Sequence, residues 1–432
     1  MSVDDNNVTW RRGLLALSPM VVFLVMYVGV SLAVDDFYRM PLSIAFITAS
    51  VWALLTMQRM PVSERIEIFS NGAANPSILY MIWIFILSGA FSALASGIGA
   101  IDATVQVTTA LMPAWAMPAG LFITSCFISM SIGTSVGTIV ALTPFASQLA
   151  IATGGDVAAT VAIVLGGSFF GDNLSFISDT TVAATRTQHV NMSDKFRANL
   201  RIALPAAVIC LVVYLVLGIN GHTTTFGTAA ASTHSPWLLL PYLLVIVLAA
   251  AGINVLVVLL LGIVSCVILA LCNSSMGPLT MCTTLGDGIK NMSDLIIVTL
   301  LASGLLEVIS YGGGIKFIIK GLTRSIKGTR GAQAAIASLV AMVNICTANN
   351  TIAILSVGRV ARSIASRFNI DPRRTASLLD TCSCITQSVL PYGAQSLLAA
   401  GLAGVAPIAF IPHLYYPLAL SFMVVLTVLL RR

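Results

Sequence analysis

Charged side chains are scarce in this sequence of 432 residues, where Asp, Glu, Lys and Arg together make up 9%. A soluble globular protein carries about one quarter charged residues, so this scarcity excludes an ordinary soluble domain. Hydrophobic residues make up 57% of the chain, and apolar runs long enough to cross a bilayer recur between residues 14 and 430. The composition therefore predicts an all-α polytopic membrane protein.

Histidine is also scarce, with four residues, and this limits the metal chemistry that the chain can perform. The eight cysteines lie mostly in apolar runs without a histidine beside them, so we interpret them as small buried hydrophobic residues. We expect no transition metal and no organic cofactor. The net charge of +6 comes from basic residues in the links between apolar runs, where it indicates membrane topology rather than nucleic-acid binding.

Basic clusters predict which links face the cytoplasm, because cytoplasmic loops carry an excess of Lys and Arg. With the basic links inside, both termini are cytoplasmic. The run 118–150 then begins and ends outside, and the run 332–358 begins and ends inside, so each is expected to be a re-entrant hairpin. The basic clusters lie at 11–12, 59–65, 186–201, 316–330, 359–374 and 431–432.

The two hairpins divide the chain into halves that we expect to be inverted-topology repeats, the architecture of secondary transporters. Two local alignments support this division: residues 133–142 match 346–355, and residues 172–179 match 380–387, which places Asp172 over Asp380. The expected parts are a cytoplasmic tail at 1–12, a first repeat at 13–219 with its hairpin at about 118–150 and a broken helix at about 157–185, an extracytoplasmic linker at 220–236, and a second repeat at 237–430 with its hairpin at about 332–358 and a broken helix at about 378–400.

Three aspartates, Asp172, Asp179 and Asp380, lie where the pattern predicts hydrocarbon. A charge at the bilayer centre costs about 2.5–3.5 kcal/mol, so each is a functional candidate, unless it lies at loop level or caps a helix. Asp172 and Asp179 would be about 10.5 Å apart along an unbroken helix, so either the helix unwinds between them or they serve different sites. A buried carboxyl group can hold a proton or a sodium ion, and competition between the two is the simplest mechanism of exchange.

Oxygen ligands of the kind that hard cations prefer are abundant around these aspartates. The stretch 390–395 supplies either a pocket for an organic substrate or a helix interruption that packs a hairpin. The predicted ion- and proton-binding residues are Asp172, Asp179, Asp380, Ser175, Ser178, Thr180 and Asn173; the predicted ligands at the hairpin tips are Thr134, Ser135, Thr138, Thr347, Asn349, Asn350 and Thr351; and the second broken helix offers Ser383, Gln387, Tyr392 and Gln395.

Three stretches of the sequence resemble the NhaC family of sodium/proton antiporters: GDNLSFISDTT (171–181), TANNTIAIL (347–355) and LDTCSCITQSVLPYGAQ (379–395). The resemblance implies a multi-pass transporter of the bacterial inner membrane, with inverted repeats, re-entrant hairpins, and Na+ and H+ as its ions. Family members usually read closer to GDKxSPxSDTT, so Asn173 stands in place of a lysine and Phe176 in place of a proline. This departure changes the charge beside Asp172.

Other functions stay open at this stage. The wider family is similar to carriers of amino acids and carboxylates, so sodium- or proton-coupled transport of a small organic solute is the alternative, and a homodimer is expected by analogy only. A channel is the rival from another class, although an inverted repeat within one chain favours alternating access. Residues 133–137 match the G-x-S-x-G pattern of hydrolases, but that motif needs a strand before it, so we expect no enzyme. Glu307 is either a proton carrier or a residue of the cytoplasmic interface.

Overall fold

The computed structural model describes residues 10–30, 33, 40–58, 60–175, 178–220, 236–251, 253–273, 276–323 and 326–430. Within these ranges the chain forms helices and no β-strand, so the all-α prediction is confirmed. Most of the expected tail at 1–12 and of the expected linker at 220–236 lies outside the described residues. Seven helices of the described part are long and apolar enough to cross a membrane, or eight if a bent pair near the C-terminal end counts as one span.

The first half of the chain contains ten α-helices in the described residues. Helix α1 continues into a short π-helix at Val25–Gly29, and a 3-10 turn at Ala114–Ala116 precedes α6. The helices are α1 Trp10–Leu24, α2 Leu42–Thr56, α3 Val62–Ala73, α4 Pro76–Gly97, α5 Ala100–Leu111, α6 Met117–Ile132, α7 Ser135–Thr153, α8 Val157–Leu174, α9 Asp179–Gln188 and α10 Met192–Asn220.

The second half contains ten more α-helices in the described residues, with 3-10 turns at Pro236–Leu239 and Pro407–His413. The helices are α11 Leu240–Ala250, α12 Val255–Cys272, α13 Pro278–Asn291, α14 Ser293–Tyr311, α15 Gly314–Thr323, α16 Gly328–Thr347, α17 Asn350–Arg367, α18 Pro372–Val389, α19 Ala394–Ala403 and α20 Tyr415–Leu430.

Two pairs of helices, each with one member in either half, repeat with the same offset. Helix α8 runs from 157 to 174 and α18 runs from 372 to 389, so both their starts and their ends are 215 positions apart. The same offset relates α9, at 179–188, to α19, at 394–403. Asp156 and Asp371, also 215 positions apart, cap the N-termini of α8 and α18 with their side chains, which satisfies backbone N–H groups that have no partner within the helix.

A helical hairpin precedes the long helix in each half: α6 with α7, the first hairpin, and α16 with α17, the second. Gly133, the residue after α6, has φ 75°, and Ala348, the residue after α16 and again 215 positions later, has φ 46°. The next residues, Thr134 and Asn349, each accept a backbone N–H with their side chain and so begin the second helix of the hairpin. The left-handed residue and the cap that follows it together fix the tip of each hairpin.

The offset corrects the alignment made from the sequence. That alignment paired Asp172 with Asp380, which are 208 positions apart, whereas the helix ends require 215. Asp172 therefore corresponds to Gln387, and Asp380 corresponds to the apolar residue Leu165. The alignment was wrong because helix interiors in an apolar sequence accept many similar residues, whereas the caps that define the helix ends depend on a few polar positions.

The halves are interlocked through their helix contacts. The short helix α9 packs on α17 of the second hairpin, and α19 packs on α7 of the first. In the same reciprocal way, α4 packs on α13 and α14 packs on α3. Each hairpin therefore packs against the short helix that follows the helix break of the other half.

Candidate functional site

A cavity of about 230 Å³ lies where the two hairpin tips and the two helix breaks meet. Its wall is completed by residues near the ends of α3, α4 and α14. Twelve of the residues predicted from the sequence line this cavity: Thr134, Ser135, Asp172, Asp179, Thr180, Thr347, Asn349, Asn350, Thr351, Gln387, Tyr392 and Gln395. The other six, Asn173, Ser175, Ser178, Thr138, Asp380 and Ser383, are not among its lining residues.

Asp172 lies in the last turn of α8 and is 4% exposed. Its Oδ1 accepts a hydrogen bond of 2.8 Å from the backbone N–H of Ser135, the first residue of α7. The first N–H groups of a helix lack partners within the helix, and the helix dipole favours a negative charge at this end. The first hairpin therefore holds the carboxylate at the wall of the cavity.

The helix ends between Asp172 and Asp179, and hydroxyl groups bind the backbone around the break. Helix α8 ends at Leu174, and α9 begins at Asp179. Ser178 Oγ donates to the carbonyl oxygen of Asp172 at 2.9 Å, and Thr181 Oγ1 donates to that of Ser175 at the same distance. Ser178 thus stabilises the break, which explains why it does not face the cavity.

Glutamine side chains connect the two hairpin tips across the cavity. Gln395 Nε2 donates to Ser135 Oγ at 3.1 Å, on the first hairpin. Gln387 Nε2 donates to Gln395 Oε1 and to the carbonyl oxygen of Ala348, on the second hairpin, both at 2.9 Å. Ser135 also binds Asp172, so this chain of bonds couples the carboxylate to both tips.

Tyr392 contacts other residues of the protein with both its hydroxyl group and its ring. Its hydroxyl donates to the carbonyl oxygen of Ile345 at 2.8 Å, and its ring meets Phe23 and Phe46 edge-on. Gln395 uses both atoms of its amide in the bonds between the hairpin tips. These contacts favour the interpretation of residues 390–395 as a helix interruption that packs a hairpin, rather than as a pocket for an organic substrate.

One buried lysine lies in a segment that the sequence predicts to be a cytoplasmic link. Lys195 belongs to the basic cluster 186–201, but the residue is 0% exposed. Its Nζ lies 2.7 Å from Asp380 Oδ2, which is also fully buried. Asn199, one turn further along α10, donates to the same carboxylate oxygen at 2.6 Å. No local signal in the sequence could have found this pair, because Lys195 lies in a basic cluster and Asp380 is distant along the chain.

Acidic side chains lie in the exposed part of the cavity. Asp179, the first residue of α9, and Glu307, in α14, both line it and are both exposed. Among the described residues, no lysine or arginine lines the cavity. Carboxylates in a cleft attract cations and raise their local concentration, so the cavity is suited to a small positive ion.

The donor set fits a hard monovalent cation better than a transition metal. Within the described ranges, no group of three or more His, Cys, Asp or Glu side chains could hold a metal ion. The cavity instead offers single carboxylates among hydroxyl and amide oxygens, the kind of ligand that hard cations prefer. Sodium, as a transported ion, fits this chemistry.

Comparison with known proteins agrees with this chemistry. The NhaC Na(+)/H(+) antiporter of Bacillus subtilis is 26% identical over 380 residues, which cover 80% of this chain and 82% of that protein. The NhaC Na(+)/H(+) antiporter of Alkalihalophilus pseudofirmus is 27% identical over 321 residues, which cover 68% and 69%. A solved structure, the YdaH transporter of Alcanivorax borkumensis, has a TM-score of 0.43 at 13% identity and covers 84% of this chain and 86% of that one. The family model described as the Na+/H+ antiporter family matches residues 12–219 and 223–431, so the chain belongs to this family.

Proposed function

We propose that this protein exchanges sodium for protons by letting the two ions compete for the carboxylate of Asp172. Membership of the Na+/H+ antiporter family, a family of transporters, supports the exchange. The observation that carries the proposal is the position of Asp172, at the cavity wall and bound to the N-terminus of α7. A coupled transporter of an organic solute is not favoured, because Tyr392 and Gln395 are engaged within the protein.

The cavity opens towards the cytoplasm in this proposal. Its outer residues, including Asn75, Ser310 and Ser356, lie close in sequence to the basic clusters at 59–65, 316–330 and 359–374. Cytoplasmic loops carry such clusters, so the described conformation gives cytoplasmic ions access to Asp172. Both termini are then cytoplasmic, in a multi-pass protein of the bacterial inner membrane.

A second, smaller cavity of about 140 Å³ supports alternating access. Ser92 lines this cavity and corresponds, at the 215-residue offset, to Glu307 in the first cavity. Gly89 and Gly288 line it as well, and a methyl group on either one would overlap the carbonyl oxygen of the other, so α4 and α13 are closely packed there. In the proposed cycle, the two halves exchange conformations, and the second cavity opens while the first one closes.

Competition at one carboxylate predicts how the transport kinetics depend on pH. Below the pH at which half of the Asp172 groups are protonated, we expect the KM for sodium to rise by about tenfold for each unit that the pH falls, because each bound sodium displaces one proton. The maximal rate at saturating sodium should change little. Sodium-driven proton movement in proteoliposomes, followed with a pH-sensitive dye, measures both constants. A maximal rate that falls with pH at constant KM would contradict competition.

Alternating access predicts opposite changes at the two cavities. In a cysteine-free background, Ser356→Cys in the first cavity and Gln148→Cys in the second report access to each. A membrane-impermeant maleimide should label Ser356→Cys from the cytoplasmic side and Gln148→Cys from the other. When a sodium gradient changes the conformational equilibrium, one labelling rate should rise and the other fall. Rates that rise together would indicate a continuous pore, and therefore a channel.

A further inference from the structure

The buried ammonium group of Lys195 is bound entirely by oxygen atoms. Its Nζ lies 2.7 Å from Asp380 Oδ2, 2.6 Å from Thr181 Oγ1 and 2.9 Å from the carbonyl oxygen of Asn173. A lysine ammonium has three N–H donors and no acceptor, so these three oxygens match its donors one to one. A neutral amine would have only two N–H donors for the three acceptors. The geometry therefore corresponds to the charged form.

The same three oxygens form a suitable binding site for sodium. A carboxylate, a hydroxyl and a main-chain carbonyl are ligands of the type that hard cations prefer. The carbonyl of Asn173 is available because α8 ends at the next residue, and the last carbonyls of a helix have no partner within it. The helix break that exposes Asp172 to the cavity thus creates an oxygen site on its other side.

Two further buried oxygens next to the lysine have no hydrogen-bond partner in the described part of the chain. They are Asp380 Oδ1 and Asn199 Oδ1. The other polar atoms of the same carboxylate and amide groups, Asp380 Oδ2 and Asn199 Nδ2, are hydrogen-bonded to each other at 2.6 Å. Unsatisfied buried acceptors are costly, so this corner of the protein offers more oxygen atoms than the lysine can use.

The ion pair is not repeated in the other half of the chain. At the 215-residue offset, Lys195 corresponds to Phe410 and Asp380 to Leu165, and both of these apolar residues are buried. Phe410 lies in the 3-10 turn at Pro407–His413, whereas Lys195 lies in α10, so the two halves differ here in backbone as well as in charge. The charged pair is a specific property of the half that contains Asp172.

We propose that Lys195 is a tethered cation that occupies a second sodium site at Asp380, so that Asp172 alone binds a transported ion. This inference rests on the proposed exchange of sodium and protons at Asp172. The ammonium group of the lysine balances the charge of Asp380, and Asp172 is then the buried aspartate that is left to bind sodium. One sodium ion is bound in each transport cycle.

The test counts the sodium ions that the purified full chain binds in detergent. Radioactive sodium is the probe, at equilibrium and at a pH where transport is maximal. We expect the wild type to saturate at one sodium ion per chain and Lys195→Ala to saturate at two, a twofold rise. Lys195→Ala combined with Asp380→Leu should return the count to one, because leucine is the residue found at the equivalent position of the other half.

A matched control uses the same substitution in an exposed ion pair. Lys290 lies 3.1 Å from Asp287 on the surface of α13, where both side chains are mostly exposed. Lys290→Ala should leave the count at one. A count of one or less in Lys195→Ala, with one in the wild type, overturns this inference and leaves the proposed function intact. No sodium bound by the wild type, or undiminished binding in Asp172→Asn, overturns the proposed function instead.

Whether each variant folds is a second test of the proposal, because removing one partner of a buried ion pair destabilises the protein. Size-exclusion chromatography in sodium chloride and in choline chloride monitors each variant. If Lys195→Ala stays folded in sodium but not in choline, sodium replaces the ammonium group and the inference is supported. If it unfolds in both salts while the double variant folds, sodium does not take that place and the inference is overturned.

Discussion

Asp172→Asn should reduce sodium-dependent proton flux in proteoliposomes to the level of protein-free liposomes. The amide cannot carry the negative charge that binds sodium, and it does not exchange a proton at the pH of the assay. Asparagine keeps a carbonyl oxygen in place of Asp172 Oδ1, which accepts the N–H of Ser135 at 2.8 Å. The first hairpin should therefore stay in position, and the protein should fold.

A control variant separates loss of the site from a general effect of removing one negative charge. Asp287→Asn makes the same chemical change at an exposed carboxylate in α13, far in sequence from the cavity residues of α8. Among the ion pairs of the described residues, Asp287 takes part only in the one with Lys290. It should leave the flux close to that of the wild type. If Asp172→Asn retained wild-type flux with an unchanged KM for sodium, Asp172 would have no part in ion binding.

Asp172 could be found from the sequence because a charge inside an apolar run is rare and costly. Asp179 was found in the same way, and the distance between the two suggested a break in the helix. The hairpin tips were predicted from the distribution of basic residues. It required each of the runs 118–150 and 332–358 to begin and end on the same side of the membrane. Each of these predictions depended on local composition or on the distribution of basic residues, both of which a single sequence displays.

Lys195 could not be found in this way, because it lies in a cluster of basic residues that resembles a cytoplasmic link. Helix α10 begins at Met192, so Lys195 and Asn199 lie on one face, one turn apart, and that face points into the protein. Their partner Asp380 is 185 positions further along the chain from Lys195. Only tertiary contacts reveal such a pair, since nothing local in the sequence distinguishes a buried lysine from a solvated one.

The repeat was expected from the sequence, but its register was not. The sequence pairs the aspartates at 172 and 380 because both lie in polar stretches between apolar runs. The helix ends instead make Asp172 equivalent to Gln387, and both of these residues bind a hairpin tip: Asp172 binds Ser135, and Gln387 binds Ala348. One half therefore contributes a carboxylate to the cavity, and the other contributes an uncharged amide at the matching place.

The second substitution with a large expected effect is at Gly171, where α8 lies very close to α6. A methyl group on Gly171 would overlap both Cβ and Oγ of Ser129, in α6. The two helices are also tied there by a 2.6 Å hydrogen bond from Ser129 Oγ to the carbonyl oxygen of Ser168. The equivalent bond in the other half runs from Asn344 Nδ2 to Ser383 O, at 2.8 Å.

We expect Gly171→Ala to lower the free energy of unfolding by about 1–3 kcal/mol, because the overlap can be relieved only by moving α6 away from α8. Such a shift would also move Asp172, the next residue, away from the N-terminus of α7, so sodium-dependent proton flux should fall as well. Thermal unfolding in detergent and flux in proteoliposomes measure the two effects.

The control is Gly286→Ala in α13, where nothing lies within 4 Å of an added methyl group. There the same change should stabilise the protein by about 0.5–1 kcal/mol, because alanine loses less backbone entropy than glycine in a helix. If both variants shifted the unfolding temperature alike, the close contact between α6 and α8 would not be what holds Asp172 in place.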